Sequence, residues 1–356
     1  MKILYDYVCY TQQIGGVSRY HVELIKNLSK GVDTILQPLL SKNVYLQEIG
    51  HPCFDLLPFL HSKKKELLYK QLNQWISVYY LKSKEYDVFH TTGMNPYFIG
   101  KTNKPIVITV HDLIHEKYPQ LIPKADVVRQ KRKKELERAD AIICISEQTK
   151  NDLIQYHNVD ESKISVIYHG ADQAIIEIKQ KPLYDFPYLL FVGGRTTYKN
   201  FNRLIEAFSL IDKDIHLVCT GKAFTNEELA LISKYKIQNR IHNQFVSDEE
   251  LNNLYCNALA FIYPSLCEGF GLPILEAFRC GCPCIISDIQ CFNEVANDAA
   301  IYFNPLNVED IANKIMSLIF NENQRVIIKA KGYERLKNFT WKKCAELTEE
   351  VYMKLL

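Results

Sequence analysis

The stretch 188–220, YLLFVGGRTTYKNFNRLIEAFSLIDKDIHLVCT, decides the fold. An apolar, aromatic run at 188–192 meets a turn at Gly193 and Gly194. A helix-period segment follows over 202–210, and a second β-branched run closes the stretch at 216–220. Strand, glycine turn, helix and strand make a βαβ unit, whose crossover sets the two strands parallel. The same alternation extends outward in both directions. Further strands are expected at 2–5, 88–90, 106–110, 141–145 and 164–167, then at 241–245, 260–263 and 284–287. Helical periods fall at 17–28, 248–256 and 308–320. Repetition of this unit predicts an α/β chain of two doubly wound, Rossmann-like domains with a cleft between them. The stretch 170–187 carries two prolines and no period, and reads as the linker between a domain at 1–172 and another at 173–339.

Size and composition agree with two domains. The chain has 356 residues, 47% hydrophobic and 24% charged, which excludes a disordered or fibrous protein. A net charge of +2 is too balanced for a dedicated nucleic-acid binder. The charge is uneven, however. Residues 1–150 carry 22 basic against 15 acidic side chains and residues 151–356 carry 21 against 26, so the halves differ in sign. No apolar run reaches the roughly 20 residues of a membrane-spanning helix. Asp6 interrupts what would be the apolar part of a signal peptide, so a cytoplasmic protein with reduced cysteines is expected. Cys280, Cys282 and Cys284 alternate without the CxxC or histidine spacing of a zinc site.

Ligands of doubly wound sheets bind beyond the carboxyl ends of the strands, so the residues just after each strand carry the chemistry. After the first strand, Gly15 and Gly16 open a helix whose free N–H groups suit an anion. After 188–192, Gly193 and Gly194 precede Arg195 and Lys199, a fork and a point charge able to grip two phosphates. Basic residues at a helix start oppose the helix dipole, and a bound anion explains them. After 260–263 comes SLCEGFGLPILE, in which Glu268 lies in a glycine-rich loop. Pro273 takes the first position of a helix, and Glu276 closes its first turn. Carboxylates accept hydrogen bonds from sugar and ribose hydroxyls. His111, followed by Asp112, ends the strand 106–110 and can bond a substrate hydroxyl or phosphate. Neither GxGxxG nor a P-loop occurs. The triplet Asp212, Lys213 and Asp214 stands before a strand, at the wrong end of the sheet for a ligand. The basic runs at 63–65 and 131–134 flank apolar helix positions and suit contact with anionic lipid headgroups.

Taken together, GGVSRY, HDLIHEKYP, ISEQTKNDL, IYHGAD, FVGGRTTYKN and PSLCEGFGLPILEAFRCGCP resemble the family-4 retaining glycosyltransferases of the GT-B fold. The resemblance runs through nearly the whole chain. It implies a nucleotide-sugar donor in the second domain, an acceptor in the first, and a C-terminal helix at 340–356 crossing back to the first domain. It also implies the roles of single residues. Arg195 and Lys199, beside Gly194, would neutralise the donor diphosphate, and Gly15 and Gly16 would add a backbone donor. Glu276 would hold the ribose and Glu268 the transferred sugar. The amides of Phe270, Gly271 and Leu272 would complete the contacts, and His111 would reach the sugar near its reacting carbon. No metal or other cofactor is implied, because cations and helix termini take its place. The expected reaction is hexosyl transfer, from GDP-mannose before a UDP- or dTDP-sugar, to a glycan or lipid-linked glycan of an envelope polysaccharide. A non-catalytic sugar-nucleotide-binding subunit is the alternative, against which the intact Glu268, Glu276, Arg195 and Lys199 stand.

Overall fold

The computed structural model describes residues 1–37, 39–55, 63–83, 85–177, 181–211 and 214–356, with side chains in the 63–83 segment from Lys64 onward. Two compact units divide the chain: residues 1–170 with 341–356, and residues 171–340.

Unit 1 carries β1 (Lys2–Tyr5), β2 (Asp33–Leu36), β3 (Leu39–Leu40), β4 (Cys53–Phe54), β5 (Val88–Thr91), β6 (Ile106–Val110), β7 (Ala141–Cys144) and β8 (Ile164–Val166). Six of them form a sheet in the order β2-β1-β5-β6-β7-β8, every pair parallel, while β3 and β4 pair separately. Central strands such as VFHT and AIIC are buried at every position, as a sheet covered on both faces requires. One face packs Ile3, Tyr5, Tyr20 and Leu24 with Trp341, Ala345 and Tyr352. The other packs Leu4, Phe89, Ile106, Ile108 and Ile142.

The helix Trp341–Met353 is therefore part of the first unit, as the sequence reading expects of the C-terminal helix. Its Tyr352 hydroxyl lies 2.8 Å from the Tyr5 hydroxyl and 2.6 Å from Nδ1 of His90, all three buried. A Cβ on Gly170 would stand 2.3 Å from the backbone nitrogen of Trp341, so a side chain there would push the helix off the sheet.

Unit 2 carries β9 (Tyr188–Phe191), β10 (His216–Thr220), β11 (Ile241–Gln244), β12 (Ala260–Tyr263), β13 (Cys284–Ser287) and β14 (Ala300–Phe303). They form one parallel sheet in the order β11-β10-β9-β12-β13-β14, the order of a dinucleotide-binding sheet. Its helices bury apolar faces on that sheet. Phe201–Ser209, for instance, turns Phe201, Leu204, Ile205 and Phe208 into the core.

Four strands escape the sequence pattern. β3 and β4 are two residues long, and β2 and β14 lie at sheet edges, β2 with no buried residue and β14 with Ala300 and Phe303 buried at its ends. The stretch read as a linker is tied to unit 2. Ile176 N donates to the Arg279 carbonyl (3.0 Å), Asp172 pairs with Arg279 (3.1 Å), and Asn253 Nδ2 donates to the Lys181 carbonyl (3.1 Å). All eleven cysteines are free thiols.

Candidate active site

In unit 2 the strand order reverses between β9 and β12, and the crevice at such a switch point is where a doubly wound sheet takes its ligand. The loop after β9 carries Gly193, Gly194, Arg195 and Lys199, and the loop after β12 carries Glu268, Phe270 and Gly271. Leu266 N donates to the Tyr198 carbonyl (2.8 Å) and stitches the two loops together. Lys199 Nζ donates to Glu268 Oε1 at 2.6 Å and to the Tyr263 hydroxyl at 3.3 Å, with both charged side chains largely buried. Burial opposes the ammonium, but Tyr263 and the Glu268 carboxylate outweigh it and hold the Lys199 pKa above that of a free lysine. Burial first, and the charge of Glu268 second, push the Tyr263 hydroxyl well above the usual phenol range. Tyr263 is thus a neutral donor or acceptor in the site.

Gly271 begins the next helix. Its φ of +114° is open to glycine, and a Cβ there would stand 3.0 Å from Ile274 and 3.1 Å from Phe292. The helix is Leu272–Arg279, so Pro273 is its second residue and not its first. Both positions lack an intrahelical acceptor for the N–H that proline does not have. Glu276 is half-buried in this helix, where its charge reaches the Tyr255 hydroxyl, buried without a hydrogen-bond partner.

The two cations part company. Arg195 Nε donates to Glu228 Oε1 (2.9 Å), Nη2 donates to the Ala223 carbonyl (2.9 Å), and the guanidinium lies 4.8 Å from the Phe224 ring. Glu228 closes a capping box with Thr225 at the start of Asn226–Lys234. Removing Arg195 would strand a buried carboxylate, so this residue holds the fold as well as facing the site. Sequence reading missed Glu228, Tyr198 and Tyr263. The Thr225-Asn226-Glu227-Glu228 spacing announces the cap but not the arginine 33 residues before it.

Unit 1 carries the remaining candidates. Gly15 caps the helix Gly16–Asn27 in extended backbone after β1. A Cβ on Gly16 or on Gly194 would meet nothing within 4 Å, and neither has a positive φ. Nothing in the surrounding fold demands glycine at these two places.

His111 follows β6, with the edge of its ring to Tyr20 (5.1 Å) and to His169 (5.6 Å). Its Nε2 is buried without a hydrogen-bond partner. Burial lowers its pKa to about 4, with Arg132 adding to burial and Asp112 opposing it, so the imidazole is neutral at pH 7.

The basic runs are not uniform surfaces. Lys65 is buried against Asp55 (2.6 Å), and Arg132 against Glu116 (2.8 Å), which corrects their reading as lipid-facing charges. The Lys63 side chain lies outside the described residues, as do Asp212 and Lys213 of the acidic triplet. Asp214 precedes β10 at its amino end. Among the described residues no group of three His, Cys, Asp or Glu is placed to hold a metal ion, and no helix is long and apolar enough to cross a membrane.

Two parallel doubly wound sheets, each in its own unit, define the chain as an α/β protein of the GT-B fold. Residues 14–174 match the description of glycosyltransferase family 4 and residues 172–335 that of the glycosyl transferases group 1, and the chain belongs to this glycosyltransferase family. It is 26% identical to O-antigen chain mannosyltransferase B of Escherichia coli over 99% of each chain. It is 33% identical to O-antigen chain mannosyltransferase RfbU of Salmonella typhimurium over 56% of each. Sucrose-phosphate synthase from Thermosynechococcus elongatus has the same fold, with a TM-score of 0.77 at 19% identity over 99% of this chain and 98% of that one.

Proposed function

We propose that the chain moves a mannosyl group from GDP-mannose to a glycan or lipid-linked glycan during envelope-polysaccharide assembly at the cytoplasmic face of the membrane. The transfer retains the anomeric configuration and needs no metal. The observation that carries this reading is the Lys199–Glu268 pair at the β9–β12 switch point, one loop from Glu276, supported by the mannosyltransferase names of the relatives.

In this reading Lys199 lies between the departing diphosphate and the transferred sugar. Its ammonium supports the phosphate charge as the bond to the sugar breaks, while Glu268 accepts hydrogen bonds from the sugar hydroxyls. Glu276, farther along its helix, holds the ribose. The amides of Phe270, Gly271 and Leu272 at the helix start, and those beside Gly16 and Gly194, receive the phosphate and sugar oxygens. Arg195, fixed by Glu228, contributes positive charge at a set place. Neutral His111 offers its unpartnered Nε2 to a sugar hydroxyl near the reacting carbon. The leaving diphosphate takes the acceptor proton on the same face of the sugar.

Incubation with a panel of nucleotide sugars tests this directly, by the nucleotide released and the sugar transferred in the presence of EDTA. GDP release from GDP-mannose is expected. Glu276→Ala should weaken GDP binding tenfold or more, through loss of hydrogen bonds to a charged acceptor of roughly 1.5–3 kcal/mol each. Glu268→Gln should leave GDP binding unchanged and lower kcat. Release from UDP- or dTDP-sugars alone would refute the donor, and loss of activity to EDTA would refute metal independence.

A further inference from the structure

Unit 1 has a switch point of its own. Its strand order reverses between β1 and β5, and beyond their carboxyl ends opens a cavity of about 460 Å³, within the size range of small-ligand sites. Gln74, Asn95, Tyr97, Gln130, Lys131 and Lys134 line it. The run 131–134 divides its charges on the helix Ala125–Arg138. Arg132 turns inward to Glu116, Lys133 stands 4.0 Å from Glu137, and Lys131 and Lys134 turn to the cavity. Among the described residues neither of these two ammonium groups has a carboxylate within ion-pair distance, and both keep contact with water.

The wall behind them uses its acceptors inward. Gln74 Oε1 accepts from the Tyr7 hydroxyl (3.3 Å) and from Asn95 Nδ2 (3.4 Å), which turns the amide nitrogen of Gln74 the other way as a donor. The Tyr97 hydroxyl donates to Asp6 Oδ2 (3.3 Å). The two carboxyl groups near the wall are sealed from water: Asp6 is 0% exposed and Glu135 is 2% exposed. Burial raises Glu135 to about 8, so it is mostly uncharged at pH 7, while Asp6, raised by burial to about 6, keeps its charge and spends it on Thr92, Val8 and Tyr97. The cavity is rich in donors and cations, a composition that suits a group with several charged oxygens.

A second feature adjoins it. Gln74 belongs to the helix Lys63–Ser83, and the next residue, Trp75, is 74% exposed, with Tyr79 one turn on at 73% and Leu68 on the same side. Such a row offers apolar area to a hydrocarbon chain.

We propose that the cavity binds the phosphate or diphosphate of a phosphorylated amphiphile whose hydrocarbon chain lies along Trp75 and Tyr79. Only the ligand's role, as the carrier of the acceptor glycan, rests on the glycosyltransferase reading; the binding does not. Farnesyl diphosphate is a water-soluble probe of both halves. Titrated into the full chain, it should shift Trp75 emission to the blue and saturate. The buried Trp341 keeps the Trp75→Phe variant as a blank. Lys131→Gln with Lys134→Gln should weaken binding at least tenfold, and farnesol should bind wild type at least tenfold more weakly than the diphosphate. Equal affinity of wild type and the double variant, or of farnesol and farnesyl diphosphate, overturns the proposal. So does a blue shift on phosphatidylglycerol vesicles without one on farnesyl diphosphate, which would make the row a membrane contact. A chain that binds the probe as expected yet releases nucleotide from no sugar donor refutes the proposed transferase activity and leaves this site standing.

Discussion

Replacing Lys199 by methionine keeps most of the alkyl stem and removes the charge, so it isolates what the ammonium does. At 2.6 Å and an effective dielectric constant of roughly 20, its attraction to Glu268 is about 6 kcal/mol before desolvation. Both groups give up water to form the pair. The net cost of breaking it is the cost of leaving one partly buried carboxylate without its cation, and buried pairs lose about 3–5 kcal/mol in this way. The Lys199 and Glu268 side chains keep 18% and 11% of their exposure, and Tyr263 remains beside Glu268, so about 3 kcal/mol is expected for Lys199→Met.

Lys199→Met combined with Glu268→Gln should stand within about 1 kcal/mol of wild type, because no charge is left unpaired. Transfer should be lost in both variants. Urea unfolding followed by far-ultraviolet circular dichroism measures the stabilities. Tryptophan emission will not serve, because Trp75 and Trp341 both lie in unit 1. If the double variant is as unstable as the single one, the pair is not what holds these loops. The contacts of the Lys199 ammonium with the Tyr198 and Tyr263 rings would then be the cause.

Gly16→Ala should leave the melting temperature unchanged or slightly higher, since alanine in a helix is favoured over glycine by roughly 0.5–1 kcal/mol and its methyl meets nothing. Donor turnover should nevertheless fall; full activity would show that no ligand approaches there. His90 is fully buried, and burial, with the His111 charge behind it, holds its pKa at about 3, well below the roughly 6.5 of a free imidazole. Below pH 6.5 the unfolded chain binds a proton that the folded one refuses, so stability is present above that pH and drains away as the pH falls. The loss reaches about 2 kcal/mol at pH 5. A His90→Gln variant should lose about that much less than wild type between pH 7 and pH 5, and equal slopes would refute the assignment. Arg195→Ala should cost about 3 kcal/mol or more through the stranded Glu228, and Arg195→Ala with Glu228→Gln should recover most of it, measured by the same unfolding assay.

Local pattern carried the sheet centres. β1, β6, β10, β12 and β13 match the apolar runs residue for residue, because a strand buried on both faces must be apolar throughout. β2, at an edge, buries none of its four residues, so burial leaves no mark on its composition, whereas the run AIYF of β14 is apolar and carries a signal. In the site, the run from Glu268 to Glu276 was legible as one local stretch of loop and helix, but with the helix starting at Leu272, Glu276 lies just past the first turn and does not close it. The partners of Arg195 and Lys199 were not, since Glu228 and Glu268 stand 33 and 69 residues away and reach them only when strands adjoin. The run 131–134 looked like one charged face. Its four cations have three different surroundings because successive helical residues point about 100° apart.

Tyr5 and Tyr352 are 347 residues apart and share one hydrogen bond. Chain synthesis therefore delivers the material of the first unit in two instalments, with all of residues 171–340 made in between. At roughly 10 residues per second, the first 170 residues wait about 20 seconds for the helix that covers Ile3, Tyr5 and Tyr20. Unit 2 is contiguous and can close first. The apolar face that receives Trp341–Met353 has no cover from this helix during that interval, so the first unit completes its core only after the second has been made.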